Sequence, residues 1–131
     1  MEIKVHKLTT IIALLATACT AQPAAAESLI EKIGPNRFAA HTAAALLDTG
    51  TTYSCSRRRT CEEGNPALRG LFGKRLSLTD AVGAFLLMEG VYIGGSVLIG
   101  EAAGYDSTAR DIFQISLIGT HGIAAGLNLR F

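Results

Sequence analysis

Two long apolar stretches dominate the hydrophobic pattern of the chain. The first, residues 81–100, holds one charged residue, Glu89, near its middle. The second, residues 112–129, holds no formal charge apart from the one that His121 can carry. A helix needs about 20 residues to cross the ~30 Å hydrocarbon core of a bilayer. Each stretch therefore predicts a helix that lies in a membrane.

The wider pattern predicts an all-α chain of three helices, packed as a small antiparallel bundle and embedded in a membrane. The expected helices span about 38–54, 77–100 and 107–127. The first is rich in alanine and only weakly hydrophobic. Ser77 and Asp80 have the spacing of a capping box, which favours a helix start at this point.

The N-terminal residues have the layout of a secretory signal peptide. Lys4 and Lys7 precede the apolar segment Leu8–Ala18, and small residues follow. Cleavage after Ala21 or Ala26 is favoured, so residues 1–26 are expected to be removed and residues 27–131 to form a single helical domain. The inner membrane of the cell envelope is the favoured location, with the periplasm and the outer membrane as alternatives.

Composition agrees with a membrane protein and excludes one class of partner. Of the 131 residues, 18% are charged, below the ~25% of a typical soluble domain, and 49% are hydrophobic. The formal net charge of +1 gives no reason to expect nucleic acid as a partner. The chain lacks tryptophan, which weakens any aromatic belt at the membrane surface.

Each expected helix carries polar residues about seven positions apart, a spacing that places them on one face. Ionisable groups at mid-membrane cost about 2.5–3.5 kcal/mol each and normally face the interior of a helix bundle. We therefore expect the polar faces to meet. The candidate cluster consists of His41, Asp48, Thr52, Glu89 and His121, and the same lines continue through Ser96, Gln114 and Asn128.

The simplest role for this cluster is to hold the helices together by hydrogen bonds. A proton- or ion-handling role is the alternative. Only residue type favours a metal site, and no nucleophile elbow or ordered catalytic triad is present. We therefore expect no cofactor, no metal and no catalytic residue, and a non-enzymatic membrane component that acts in interaction or assembly.

A basic loop, residues 55–76, joins the first two helices. It holds six positive residues against Glu62 and Glu63: Arg57, Arg58, Arg59, Arg69, Lys74 and Arg75. The positive-inside tendency places such a loop in the cytoplasm, where Cys55 and Cys61 would remain thiols. If the first helix does not span, the two cysteines lie in an oxidising compartment and could form a disulfide.

Glycine spacing suggests where helices make close contact. Gly90 and Gly94, and likewise Gly122 and Gly126, match the small-residue contact motif of membrane helices. In a chain with 14 glycines the match has low specificity. The motif predicts a helix–helix partner or a homo-oligomer through one of these faces, with membrane lipid as the other partner.

Several motifs resemble those of small uncharacterised bacterial membrane proteins. They are Leu47-Asp48-Thr49-Gly50-Thr51-Thr52, Glu63-Gly64-Asn65-Pro66, Gly70, Phe113-Gln114 and Gly126-Leu127-Asn128. The proteins in question carry Asp-x-x-Ser/Thr-Thr at the end of a helix, then Glu-x-Asn-Pro and a glycine, then two more apolar helices. The resemblance implies a helical membrane architecture and draws attention to His41, Asp48, Thr52 and the loop motif Glu63, Asn65 and Pro66. It implies no activity, and the segment from Cys55 to Cys61 departs from the pattern.

Two other architectures compete with the membrane bundle. The ending Gly126–Phe131 alternates and finishes in phenylalanine, as the last strand of an outer-membrane β-barrel does. Residues 81–100 lack the alternation that such a barrel requires. A soluble periplasmic domain with the last two helices as a buried hairpin is the remaining alternative.

Overall fold

Residues 29–59 and 61–129 are described in the computed structural model, and they contain helices and no strand. The all-α prediction is confirmed for these residues, and the β-barrel alternative is wrong for them. Gly126–Asn128, which would have begun the last strand of a barrel, instead ends a helix. The expected signal peptide, residues 1–26, lies outside the described residues.

Four helices follow one another along the compact unit Ile33–Phe131. They are α1 (Pro35–Arg58), α2 (Pro66–Phe72), α3 (Leu78–Ala103) and α4 (Thr108–Asn128). Before this unit, residues 29–32 are helical as well. The three long helices lie where the sequence predicts them, but α1 extends further at both ends than expected.

Local capping explains most of these boundaries. Pro66 occupies the first position of α2, and the Asn65 side chain accepts hydrogen bonds from Ala67 N and Leu68 N. An asparagine cap followed by proline is a common helix start, and it gives the loop motif a structural role. At the start of α3, Ser77 and Asp80 exchange the two hydrogen bonds of the predicted capping box.

The end of α1 turns the chain back on itself. Arg59 adopts a left-handed conformation with φ 61°, and its N–H donates to Cys55 O and Ser56 O. This reversal brings Cys61 next to Cys55, and the two form a disulfide with Cα atoms 5.4 Å apart. The charge argument, which favoured two free thiols in a cytoplasmic loop, did not predict this bond.

The α1 helix packs against both α3 and α4, which also pack against each other. Small residues allow the close approach: Ala45, Ala81, Ala84 and Ala125 are all buried. Gly95 lies directly under the ring of Phe113, so that a side chain there would overlap the ring.

The glycine pairs that the sequence singled out lie elsewhere. A Cβ added at Gly90, Gly94, Gly122 or Gly126 would meet no atom within 4 Å. Among the described residues, the glycines that lie against a side chain are Gly83, Gly95 and Gly100, and none of them belongs to either predicted motif.

The interior is more polar, and the exterior more apolar, than is usual in a soluble protein. Among the described residues, nine buried residues are polar or charged, as many as are hydrophobic, while thirteen large hydrophobic residues are exposed. The buried side chains with the largest volume and under 2% exposure include Tyr92, His41 and Gln114. In soluble proteins Ile, Val and Leu are among the residues most often buried, and polar groups are mostly exposed.

One of the described helices, Leu78–Ala103, is long and apolar enough to cross a membrane. Only 17% of its most apolar stretch is buried, so it is unlike the core helix of a soluble protein. The second predicted spanning stretch corresponds to α4, and this helix is less apolar than a membrane-crossing helix of its length normally is. The inward line of Gln114, His121 and Asn128 lowers its mean hydropathy.

Candidate functional site

The helices α1, α3 and α4 are joined by polar contacts at three successive levels, which we call the polar ladder. Its members are Arg37, His41, Asp48, Thr52, Glu89, Ser96, Asp111, Gln114, His121 and Asn128. It begins near the start of α1 and ends near the start of the disulfide loop. The five residues of the predicted cluster all belong to it.

At the first level of the ladder, Gln114 is fully buried and connects three groups. Its Nε2 donates to Ser96 Oγ and to the carbonyl oxygen of Ile33, each at 3.1 Å. Its Oε1 accepts a hydrogen bond from Arg37 at 3.1 Å. Arg37 also forms an ion pair with Asp111. The amide is thus satisfied on both sides, as a buried amide must be to avoid a desolvation penalty.

At the second level, His41 and Glu89 form a buried pair between α1 and α3. His41 Nδ1 lies 3.1 Å from Glu89 Oε1, and the hydroxyl of Thr42 donates to Glu89 Oε2 at 3.3 Å. The imidazole stacks on the ring of Tyr92 with centroids 3.9 Å apart and planes inclined by 14°. The stacking helps to hold the imidazole in place beside the carboxylate.

At the third level, His121 and Asp48 form a second pair between α4 and α1. His121 Nδ1 lies 2.7 Å from Asp48 Oδ2. Asp48 Oδ1 accepts from the Thr52 hydroxyl at 3.4 Å and from Asn128 Nδ2 at 3.5 Å. Asn128 Nδ2 also donates to Thr52 Oγ1 at 2.7 Å. This carboxylate is therefore surrounded by donors from two helices.

The two histidines connect the second and third levels. Their rings meet edge to face, with centroids 5.3 Å apart and planes inclined by 79°. A carboxylate accepts hydrogen bonds, so Nδ1 is the donor of each pair when the acid is ionised, and Nε2 is the remaining ring nitrogen. Both Nε2 atoms are buried and have no hydrogen-bond partner among the described residues. Such unpaired buried atoms are rare, since each costs about 1–3 kcal/mol.

The loop motif lies beside the third level. Glu63 is buried, and its carboxylate accepts a hydrogen bond of 2.7 Å from the backbone N–H of Asn65. Burial raises the pKa of the Glu63 carboxyl above its usual value, and the nearby charge of Asp48 raises it further, against the lowering effect of the Asn65 N–H. Glu63 thus lies near the charge of Asp48, and Asn65 and Pro66 begin α2.

Sequence reasoning missed two contributions to the ladder. The ion pair of Arg37 and Asp111 joins residues at the first turns of two helices, 74 positions apart, and no local spacing relates them. The stacking of His41 on Tyr92 was also missed, although a tyrosine three residues after Glu89 lies on the same helix face.

A metal site and a nucleophilic site each require a particular grouping of side chains. No group of three or more histidine, cysteine, aspartate or glutamate side chains within residues 29–59 and 61–129 is placed to hold a metal ion. The buried hydroxyl of Ser96 accepts from Gln114 and has no histidine base among its contacts with the described residues.

Comparison with known proteins gives no functional lead. The chain matches no protein-family model, no curated protein and no solved structure. Its function must therefore be argued from its own residues.

Proposed function

We propose that this chain is a small integral membrane protein whose helices α1, α3 and α4 form a membrane-embedded three-helix bundle. The distribution of polar and apolar residues carries the proposal. Polar groups make up about half of the buried residues, where they can pair with one another, and large apolar side chains are exposed on the exterior, where lipid would contact them. Water-soluble chains avoid large exposed apolar patches, since these drive association.

The outer faces of the three helices support this placement because they lack charge over a long distance. Every exposed residue from Val82 to Leu98 on α3 is uncharged. At 1.5 Å per residue this segment is about 24 Å long, close to the thickness of a hydrocarbon core. The exposed positions of α1 between Ala39 and Gly50, and of α4 between Ala109 and Leu127, are also uncharged.

Within the membrane the protein acts as a non-enzymatic interaction or assembly component. The first and third levels of the ladder are rich in hydrogen bonds, as expected of groups whose role is to hold helices together. The glycine pairs at Gly90/Gly94 and Gly122/Gly126 leave room for a second helix, from another copy or another protein. The proposed kinship with small bacterial membrane proteins fits this role, since Asp48 and Thr52 belong to the ladder.

Alkaline carbonate extraction of membranes from expressing cells tests the placement. We expect the full chain to remain in the pellet and to require detergent for release. Release into the supernatant as a helical monomer would contradict the proposal, since peripheral and soluble proteins behave in that way. A soluble periplasmic protein with its signal peptide removed serves as the control for complete extraction.

The disulfide bears on orientation. Disulfides persist in oxidising compartments and are rare in the cytoplasm. We therefore place the loop that holds Cys55 and Cys61 on the exported side of the membrane, against the positive-inside tendency. A membrane-impermeant thiol reagent applied to intact spheroplasts should label these cysteines only after reduction. Labelling that requires membrane lysis would restore the cytoplasmic assignment.

A second candidate function is proton handling along the ladder, and the unpaired Nε2 atoms of His41 and His121 favour it. Each imidazole faces a carboxylate at Nδ1 and leaves Nε2 without a hydrogen-bond partner among the described residues, and histidine nitrogens of this kind can exchange protons. Glu89→Gln keeps a hydrogen-bond acceptor for His41 and removes the exchangeable charge. Loss of proton uptake into vesicles at unchanged protein level would favour this candidate, and unchanged uptake would leave the assembly role.

A further inference from the structure

A groove at the end of α1 has the chemistry of an anion site. It is an open depression of about 410 Å³, lined among the described residues by Tyr53, Ser54, Arg57 and Arg58. Two guanidinium groups and two hydroxyl groups face one space, and these four lining residues include no carboxylate. All four side chains can donate hydrogen bonds, and guanidinium groups match the paired oxygens of a phosphate.

Two features restrict the segment that forms the groove. Arg57 Nη1 donates to the hydroxyl of Tyr53 at 3.5 Å, and the guanidinium carbon lies 6.0 Å from the centroid of that ring. The disulfide between Cys55 and Cys61 closes the short segment that contains the arginines. Such preorganisation lowers the entropy lost when a ligand binds.

The position of the groove along α1 indicates which kind of anion it binds. The groove follows directly after the uncharged outer face of α1, at the level where the apolar surface gives way to charge. Lipid phosphates lie at this level of a bilayer, and arginine and tyrosine are side chains that reach it with an apolar stem or ring in the hydrocarbon. From this geometry we infer that the groove binds the phosphate of an anionic phospholipid. The inference rests on the membrane placement proposed above.

Native mass spectrometry of the full, oxidised chain in detergent tests the inference. The protein is titrated with phosphatidylglycerol and with phosphatidylcholine of the same acyl chains. We expect about 25-fold preference for phosphatidylglycerol, because each of the two arginines near an anionic headgroup contributes roughly a factor of five. The double variant Arg57→Gln/Arg58→Gln should bind both lipids equally. Equal binding of both lipids by the wild-type chain would overturn the inference.

A matched control removes two positive charges from nearby positions outside the groove. Arg69 and Arg75 are exposed and lie outside the groove, and Arg69 pairs with Glu62 at 3.3 Å. Arg69→Gln/Arg75→Gln should keep the lipid preference. Loss of preference in both double variants would show a general effect of net charge and would overturn the specific site. Tyr53→Phe, which keeps the ring, provides a variant that leaves net charge unchanged and should lower the preference two- to threefold.

Two further comparisons complete the test. The first distinguishes lipid phosphate from free phosphate, and the second distinguishes failure of the headgroup site from failure of the membrane placement. Inorganic phosphate at the same concentration should not displace the lipid; displacement would identify a site for free phosphate instead. If carbonate releases the chain from membranes, the membrane placement fails. If the chain stays in membranes and Arg57→Gln/Arg58→Gln binds lipid like the wild type, only the headgroup site fails.

Discussion

The two histidine–carboxylate pairs of the ladder have the same chemistry and different surroundings. Asp48 of the third level accepts hydrogen bonds from Thr52 and Asn128 besides its histidine. Glu89 of the second level has Thr42 as its additional donor, and its histidine lies against an aromatic ring. Each hydrogen bond that a carboxylate accepts stabilises its ionised form.

The difference suggests a division of roles between the pairs. The Asp48 pair is connected to α1 and α4 through several side chains, so it contributes mainly to helix packing. The Glu89 pair connects α1 and α3 through fewer groups, so its charge can change with less structural consequence. Substitutions at each level of the ladder test this division.

Asp48→Ala should have the largest effect on stability. Removing one member of a buried pair of ionisable groups leaves the other unpaired and costs about 3–5 kcal/mol. Here the side chains of Asn128 and Thr52 also lose an acceptor. Thermal unfolding in detergent, followed by circular dichroism, measures the loss. Glu89→Ala is the matched control and should cost less; a larger cost for Glu89→Ala would reverse the proposed roles.

Gln114→Leu should have a smaller effect, of about 2 kcal/mol. Leucine has a similar volume but leaves Ser96 Oγ and the Ile33 carbonyl without their donor, and an unsatisfied buried group costs about 1–3 kcal/mol. Ser96→Ala removes one of these partners alone and should cost about 1 kcal/mol in the same unfolding measurement. If Gln114→Leu leaves the free energy of unfolding unchanged, the first level contributes no net stability.

Gly95→Ala tests the second level without touching its charged groups. The new methyl group would lie 2.8 Å from Cε1 of Phe113, so the ring must move. Phe113 stacks toward Tyr92 with centroids 6.5 Å apart, and Tyr92 in turn supports His41. We expect a loss of about 1–2 kcal/mol from overpacking, measured by the same thermal unfolding.

The neighbouring Gly94→Ala provides the control for Gly95→Ala. Its Cβ would meet nothing within 4 Å, and alanine is the better helix former by up to about 1 kcal/mol. Equal effects of the two substitutions would contradict the Phe113 contact. Loss of oligomers with Gly94→Ala alone would instead support the outward glycine face as an interface.

Periodicity made most of the fold and much of the ladder predictable from the sequence. A seven-residue spacing fixes which residues share a helix face, so the lines through Asp48, Glu89 and His121 follow from the pattern alone. The exact pairing of side chains between helix faces was not predictable from the sequence. The Arg37–Asp111 pair depends on the relative heights of α1 and α4, and the disulfide depends on a left-handed turn at Arg59 that no local motif indicates.

Glu63→Gln tests the third level through its dependence on pH, the smallest of the expected effects. Burial raises the pKa of the Glu63 carboxyl in the folded chain, with Asp48 as a further cause. A raised folded pKa means that the folded state prefers the protonated acid. The stability that this preference provides is present below the unfolded pKa and is lost as pH rises through the folded pKa.

Glutamine stays neutral at every pH, so Glu63→Gln should gain in unfolding temperature over the wild type as pH rises from about 4 to about 8. Glu62→Gln removes the same charge from an exposed position and should show no such rising gain. If the two variants follow the wild type in parallel, the Glu63 carboxylate is not held in the buried position beside Asp48. In that case Glu63 would lie away from the third level. Only α4 would then account for the greater number of groups around the Asp48 pair.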